Sequence, residues 1–193
     1  MGGQQSFADK FGKALDLKYD FVSAGAAVRD FQCMATAMDG LDGTAAIITN
    51  KVLQYDQNKI DIIGGPGNSN YSVSYENTYK YYSESKFICI PTKVLNGKKK
   101  YTLSGLTSFV DAVVMHKPVI ISDSTNMGID VESLGIGTVY KAGDVEDMRN
   151  KMLYLMSLSD SQYHKMCDNM ERYSKGHAYD DFCNKLLKII RES

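Results

Sequence analysis

From residue 20 onward, short apolar runs alternate with segments whose apolar residues recur every three or four positions. The runs Asp20 to Gly25 (DFVSAG), Thr44 to Thr49 (TAAIIT), Lys59 to Ile63 (KIDII), Lys86 to Ile90 (KFICI) and Val119 to Asp123 (VIISD) have the length and β-branched content of buried strands. Gly137 to Tyr140 is a sixth, shorter one. Between them the period changes. Asp30 is placed to cap a helix whose apolar face is Phe31, Met34, Ala35 and Met38, with Gly40 ending it. A helix from about 72 to 83 puts Tyr75, Tyr79 and Tyr82 on one face, and the turn Ser104-Gly105-Leu106-Thr107 opens another that ends at His116-Lys117-Pro118. Asp144 caps a helix with Val145, Met148, Met152 and Leu155 inward. Ser159 or Asp160 caps the next, with Tyr163, Met166, Cys167 and Met170 inward and Gly176 closing it. A last helix, 179 to 191, turns Phe182, Leu186, Leu187 and Ile190 inward.

Strands that are apolar throughout, rather than alternating, belong to a parallel sheet covered on both faces. Strand–helix alternation with short connections then predicts an α/β fold: a doubly wound, Rossmann-like parallel sheet of about six strands with helices on both faces. Residues 20–193 form one such domain, and 1–19 are a lead-in, with Met1 to Gln5 resembling an expression remnant. Ligands of these sheets sit beyond the carboxyl ends of the strands. The loops after Ala24, Thr49, Ile63, Ile90 and Ile121 are therefore the ones that carry function.

Composition narrows the classes. The 193 residues are 44% hydrophobic and 23% charged, ordinary for a globular protein, and their formal charge of −1 argues against a general nucleic-acid binder. Cys33, Cys89, Cys167 and Cys183 are scattered, without C-x-x-C or zinc spacing, and are expected as reduced thiols in a cytoplasmic setting. No run is long enough for a transmembrane helix, and the first twenty residues lack a signal-peptide core.

Three glycine-bearing turns follow strands. In Ala24-Gly25-Ala26-Ala27-Val28-Arg29-Asp30, small residues admit a ligand to the backbone and Arg29 stands at a helix start. A helix N-terminus carries partial positive charge, and arginine adds a fork for phosphate; the alternative is a tight turn with a solvated arginine. Gly64-Gly65-Pro66-Gly67-Asn68 either approaches a flat ligand or reverses the chain. Ser104-Gly105-Leu106-Thr107 offers amides and hydroxyls to a diphosphate. Asp111, one to two turns on, either accepts from a ribose diol or faces solvent. His164 and His177 read as surface or boundary residues. His116 stands nearer the proposed site, Lys98 to Lys100 read as a solvated loop, and the tyrosines between 71 and 82 as a packing face. No Walker loop, G-x-S-x-G elbow or H-E-x-x-H motif occurs.

Taken in order, five segments resemble the C-terminal, donor-binding domain of GT-B glycosyltransferases of the group 1, family 4-like type. They are FVSAGAAVRDFQCMATAM (21–38), IIGGPG (62–67), SKFICIP (85–91), TSFVDAVVMHKPVII (107–121) and GTVYKAGDVEDMRNKM (137–152). The resemblance covers about residues 20 to 158. It implies a retaining transferase domain that binds a nucleoside-diphosphate sugar such as a UDP-sugar as substrate, with no metal or other cofactor. Its donor site is expected at Gly25, Arg29, Gly65, Pro91, Ser104, Gly105, Leu106, Thr107 and Asp111. Arg29 would hold the pyrophosphate, Gly105 to Thr107 would meet the phosphates, and Asp111 would hold the ribose. The family's paired glutamates fall on Leu103 and Asp111, so the group that usually touches the transferred sugar is replaced. Ala26 stands where many members have arginine, and His116 where glycine is common. The resemblance also implies an N-terminal acceptor domain or a separate acceptor subunit, and a cytoplasmic protein that in full-length form is peripheral to a membrane. Without that partner the chain is expected to bind donor but be incomplete for catalysis. The same fold also suits a non-catalytic nucleotide-binding or interaction module, or half of a nucleotide-sugar epimerase.

Overall fold

The computed structural model describes residues 17–25, 28–65, 67, 73–94, 103–125 and 127–177. The helix expected at 179–191, Cys183 and the Lys98–Lys100 loop lie outside the described residues. Six strands, β1 (Tyr19–Ala24), β2 (Ala45–Ile48), β3 (Ile60–Ile63), β4 (Ser85–Ile90), β5 (Val119–Ser122) and β6 (Gly137–Tyr140), form one sheet in the order β3-β2-β1-β4-β5-β6. Every pairing is parallel. Strand order reverses between β1 and β4, so the crevice that such sheets use for ligands opens at the carboxyl ends of those two strands.

Five helices are described: α1 (Phe31–Met38), α2 (Tyr75–Ser83), α3 (Leu106–Val114), α4 (Val145–Met156) and α5 (Asp160–Gly176). The two-residue period of the strands sorts the core into two layers. Phe21, Ala45, Ile47, Phe87 and Cys89 pack under α1 and α4 against Phe31, Met34, Met38 and Met152. Their neighbours Val22, Ala46, Ile48, Ile88 and Ile90 pack under α2, α3 and α5 against Tyr79, Tyr82, Phe109 and Met170. Both faces are buried, which is why the strands carry no polar alternation. No described helix is long and apolar enough to cross a membrane.

The helix starts have local causes. Asp30 accepts from Cys33 N–H at 3.3 Å, and Asp144 accepts from Asp147 N–H. Of the two candidates for α5, Ser159 is the cap, because Gln162 completes a reciprocal capping box with it. α2 begins at Tyr75 with Ser74 as its cap. One connection departs from the usual parallel crossover: residues 49–59, between β2 and β3, contain no helix. Leu53 and Tyr55 pack on the core from this extended segment, and Gln32 of α1 serves its backbone, accepting from Gln54 N–H (3.0 Å) and donating to Gln54 C=O (2.9 Å).

α3 ends in a Schellman motif: His116 N–H donates to Val113 C=O and Lys117 N–H to Ala112 C=O. The position between them is left-handed, and His116 occupies it with φ of 53°. Glycine suits this position because it has no Cβ to clash. His116 is also at the far end of α3 from Gly105, roughly 16 Å along the helix axis, so it is not beside the site as its sequence position suggested. His116→Gly is expected to stabilise the fold by about 1 kcal/mol, read as a higher urea midpoint at unchanged slope.

Candidate functional site

A cavity of about 480 Å³ opens at the carboxyl edge of the sheet, within the range of small-molecule sites. Ala24, Gly25, Arg29, Gly105, Thr107 and Ser108 form one end of its wall. Ile48, Val73, Tyr75 and Tyr82 add apolar and aromatic surface alongside the polar Thr49, Asn50 and Thr78, and Gly64, Leu103, Ser104 and Asp111 also line it.

Arg29 is only 5% exposed. Its Nε donates to Ala24 C=O at 3.2 Å, and Nη2 donates to Ser108 Oγ at 3.0 Å. A solvated arginine is therefore not what the turn carries. Gly25, with φ of +135°, lets the side chain lie across it: a Cβ there would stand 2.8 Å from Arg29 Nε. Among the described residues no carboxylate pairs with this guanidinium. Burial pulls its pKa below the ordinary value, while nearby Tyr82 and Tyr140 act in the opposite sense. Arginine does not give up its proton in proteins, so the site holds a buried positive charge with no directly paired carboxylate among the described residues.

The N-terminus of α3 meets that charge. Its cap is Gly105, with φ of 104° and no side-chain capping bond. A Cβ at Gly105 would lie 2.5 Å from Ile90 Cγ2 and 3.8 Å from Arg29 Nη1, so the loop passes close over both. Leu106 N–H is spent on Leu103 C=O at 3.0 Å. Thr107 and Ser108 follow it in the first turn, where helix amides lack intrahelical partners and the macrodipole is positive. The sequence-predicted residues Gly25, Arg29, Ser104, Gly105, Thr107 and Asp111 thus line one cavity. Gly65, Pro91 and Leu106 are not among its lining residues. Gly64 takes the wall position in its loop. Pro91 instead accepts from Asp30 N–H at 2.8 Å, and Leu106 turns a 40% exposed side chain outward.

Asp111 is 4% exposed, not solvent-facing, and its Oδ1 accepts from Tyr79 Oη at 2.7 Å. Burial and this carboxylate push the Tyr79 hydroxyl well above its usual range. The tyrosine face has divided labour: Tyr79 is in the core, the buried Tyr82 reaches the cavity from the core, and Tyr75, half exposed, also lines it. Nothing in the sequence marks Ser108 or Tyr79 as a site residue. Ser108 gives no local signal; Tyr79 shows only the helical spacing of a packing residue.

No family model matches the chain, and no curated protein matches its sequence. Solved structures do. A glycosyltransferase from Rickettsia africae ESF-5 superposes with a TM-score of 0.61 at 15% identity, covering 99% of this chain and 52% of that one. Sucrose-phosphate synthase (tll1590) from Thermosynechococcus elongatus gives 0.63 at 11% identity, over 100% and 48%. The C-terminal domain of the glycosyl transferase group 1 family protein LpcC from Francisella tularensis gives 0.58 at 13% identity, over 90% and 91%. The chain spans about half the length of the first two and nearly all of the isolated C-terminal domain. Its fold is that of the Rossmann-like C-terminal domain of a GT-B glycosyltransferase.

Proposed function

We propose that this chain is the donor-binding half of a retaining glycosyltransferase, and that its cavity takes the diphosphate of a nucleoside-diphosphate sugar. The observation that carries this reading is the buried Arg29 guanidinium, without a carboxylate partner among the described residues, beside the uncapped N-terminus of α3. Leaving such a charge uncompensated costs stability, and an anion in the cavity relieves it. In transfer, the bond from the anomeric carbon to the diphosphate oxygen breaks and negative charge grows on that oxygen. A fixed guanidinium and helix amides stabilise the developing charge. The apolar and aromatic surface of Val73 and Tyr75 suits the nucleoside, and Asp111, steadied by Tyr79, suits the ribose. The acceptor side comes from a second domain or subunit, and the setting is cytoplasmic, at a membrane in the full-length protein.

Calorimetric titration of the folded chain with UDP, GDP and ADP, and with their sugars, tests the reading. At least one is expected to bind, more tightly at low salt. Failure of all of them, with circular dichroism intact, refutes it. A second reading, binding without transfer, is favoured by Leu103. This apolar residue on the cavity wall is 67% exposed and occupies the position of the family's first glutamate. Donor turnover measured with the acceptor half supplied separates the two.

A further inference from the structure

Behind the cavity, at the carboxyl ends of β4 and β5, four hydroxyl side chains meet: Thr92, Ser122, Ser124 and Thr125. The first three are fully buried and Thr125 is 8% exposed. Thr92 Oγ1 contacts Ser122 Oγ, Ser124 Oγ at 2.7 Å and Thr125 Oγ1 at 2.6 Å, and Ser122 Oγ lies 2.8 Å from Ser124 Oγ. Thr92 N–H donates to Ser122 Oγ at 3.3 Å, and Ser124 Oγ donates to Thr92 C=O at 3.2 Å.

One consistent assignment uses every hydroxyl proton once. Ser124 donates to the Thr92 carbonyl, Thr92 donates to Ser124, and Ser122 and Thr125 both donate to Thr92 Oγ1. In this assignment no proton is left for a ligand, and oxygens this close leave no room for an ion between them. The network's output is positional: it fixes the backbone of Thr92.

That backbone holds the site's cation. Thr92 forms an antiparallel bridge with Arg29, Lys93 N–H donates to Val28 C=O at 2.9 Å, and Asp30 N–H donates to Pro91 C=O at 2.8 Å. The turn so held is strained, because Val28, a β-branched residue, has φ of 58°. Such a conformation persists only when its surroundings over-determine it. At the other end of the network, Thr125 Cγ2 stands 3.6 Å from where a Gly105 Cβ would be. One buried cluster therefore holds the Arg29 half of the anion site through backbone bonds and lies close to the Gly105 half.

We infer that the Thr92–Ser122–Ser124–Thr125 cluster is a clamp that holds the strained Val28–Arg29 turn, and that Thr92 is a positioning residue for diphosphate binding. This rests on the donor-binding reading above. The probes are inorganic pyrophosphate and the tightest of UDP, GDP and ADP, titrated into the folded chain. Thr92→Val keeps shape but removes the central hydroxyl and is expected to weaken both probes by about tenfold or more. Thr92→Ser restores the hydroxyl and is expected to restore affinity to within about threefold. Ile60→Val, a core change at the opposite edge of the sheet, controls for general softening and is expected to leave affinity unchanged. Should Thr92→Val not fold, Ser124→Ala takes its place under the same criterion. Wild-type affinity in the hydroxyl-deleted variant, or equal loss in Thr92→Ser or Ile60→Val, overturns the clamp and leaves the donor reading standing. A wild-type chain that binds neither pyrophosphate nor any nucleotide removes the donor reading itself.

Discussion

Arg29→Met is expected to make the ligand-free chain more stable while removing its affinity for nucleoside diphosphates. Methionine follows the path of the arginine stem and carries no charge. The side chain it replaces is 5% exposed and has no carboxylate partner among the described residues. Replacing a poorly compensated buried charge by an apolar group of similar volume gains up to a few kcal/mol, about 1 to 4 in documented cases. The groups left behind do not become orphans, because Ser108 Oγ also lies within donating distance of Ala24 C=O, at 3.4 Å. Binding moves the other way. Losing a desolvated cation opposite a phosphate costs roughly 2 to 5 kcal/mol, or about 30-fold to several thousandfold in Kd. Thermal unfolding without ligand and calorimetric titration with it read the two effects separately. A variant that loses stability and keeps affinity would mean that Arg29 is a structural side chain.

The opposite signs matter because they distinguish a site from a core. A structural polar residue, once removed, costs stability and shows no ligand effect. A preorganised binding residue burdens the empty protein and repays the burden only with ligand present. The strained Val28, with φ of 58°, and the uncapped α3 N-terminus point the same way. Local rules are broken at the adjacent Val28 and Arg29 and again at Gly105, which the fold brings beside the Arg29 guanidinium, and such clustering is usual where function constrains structure.

What was legible in the sequence is what short-range patterns determine. Strands apolar on both faces show a parallel sheet, because covering helices leave no wet side. Helix starts at Asp30 and Asp144 are readable because the capping side chain and the amides it serves lie three residues apart. Glycine turns after strands could be located for the same reason. The partners within the site were not legible, because they are set by the fold. Arg29 and Ser108 are 79 residues apart, Tyr79 and Asp111 are 32 apart, and the hydroxyls of Thr92 and Thr125 are 33 apart. The 49–59 connection shows no helical spacing and forms no helix, but its tie to α1, where Gln32 bonds the Gln54 backbone, is set by the fold. In the Gly64-Gly65-Pro66-Gly67 turn, sequence reasoning placed the ligand approach at Gly65. Which glycine needs to lack a side chain depends on a carbonyl from the neighbouring strand, which only the pairing of β2 with β3 brings there.

That carbonyl makes Gly64→Ala a severely damaging single methyl group. A Cβ at Gly64 would stand 2.2 Å from Thr49 O and 3.0 Å from Thr49 C, with φ at +144°. The obstacle is backbone, and it cannot rotate aside. Thr49 N–H donates to Ile63 C=O at 3.0 Å, closing the ladder between β2 and β3, so relieving the clash means breaking the sheet at its carboxyl end. The expected cost is about 3 kcal/mol or more, combining overpacking with a backbone angle that suits only glycine. Gly40→Ala is the control. It too has a positive φ, +81°, but nothing lies within 4 Å of its Cβ position, so only the left-handed penalty of about 1 kcal/mol applies. Urea unfolding of the two variants should separate them by about 2 kcal/mol at equal slope. Because Thr49 and Gly64 both line the cavity, the same distortion should reach nucleotide binding in Gly64→Ala and spare it in Gly40→Ala. Equal stability losses in the two variants would show that β2 and β3 do not close on each other at this point, and the cavity wall built on them would have to be redrawn.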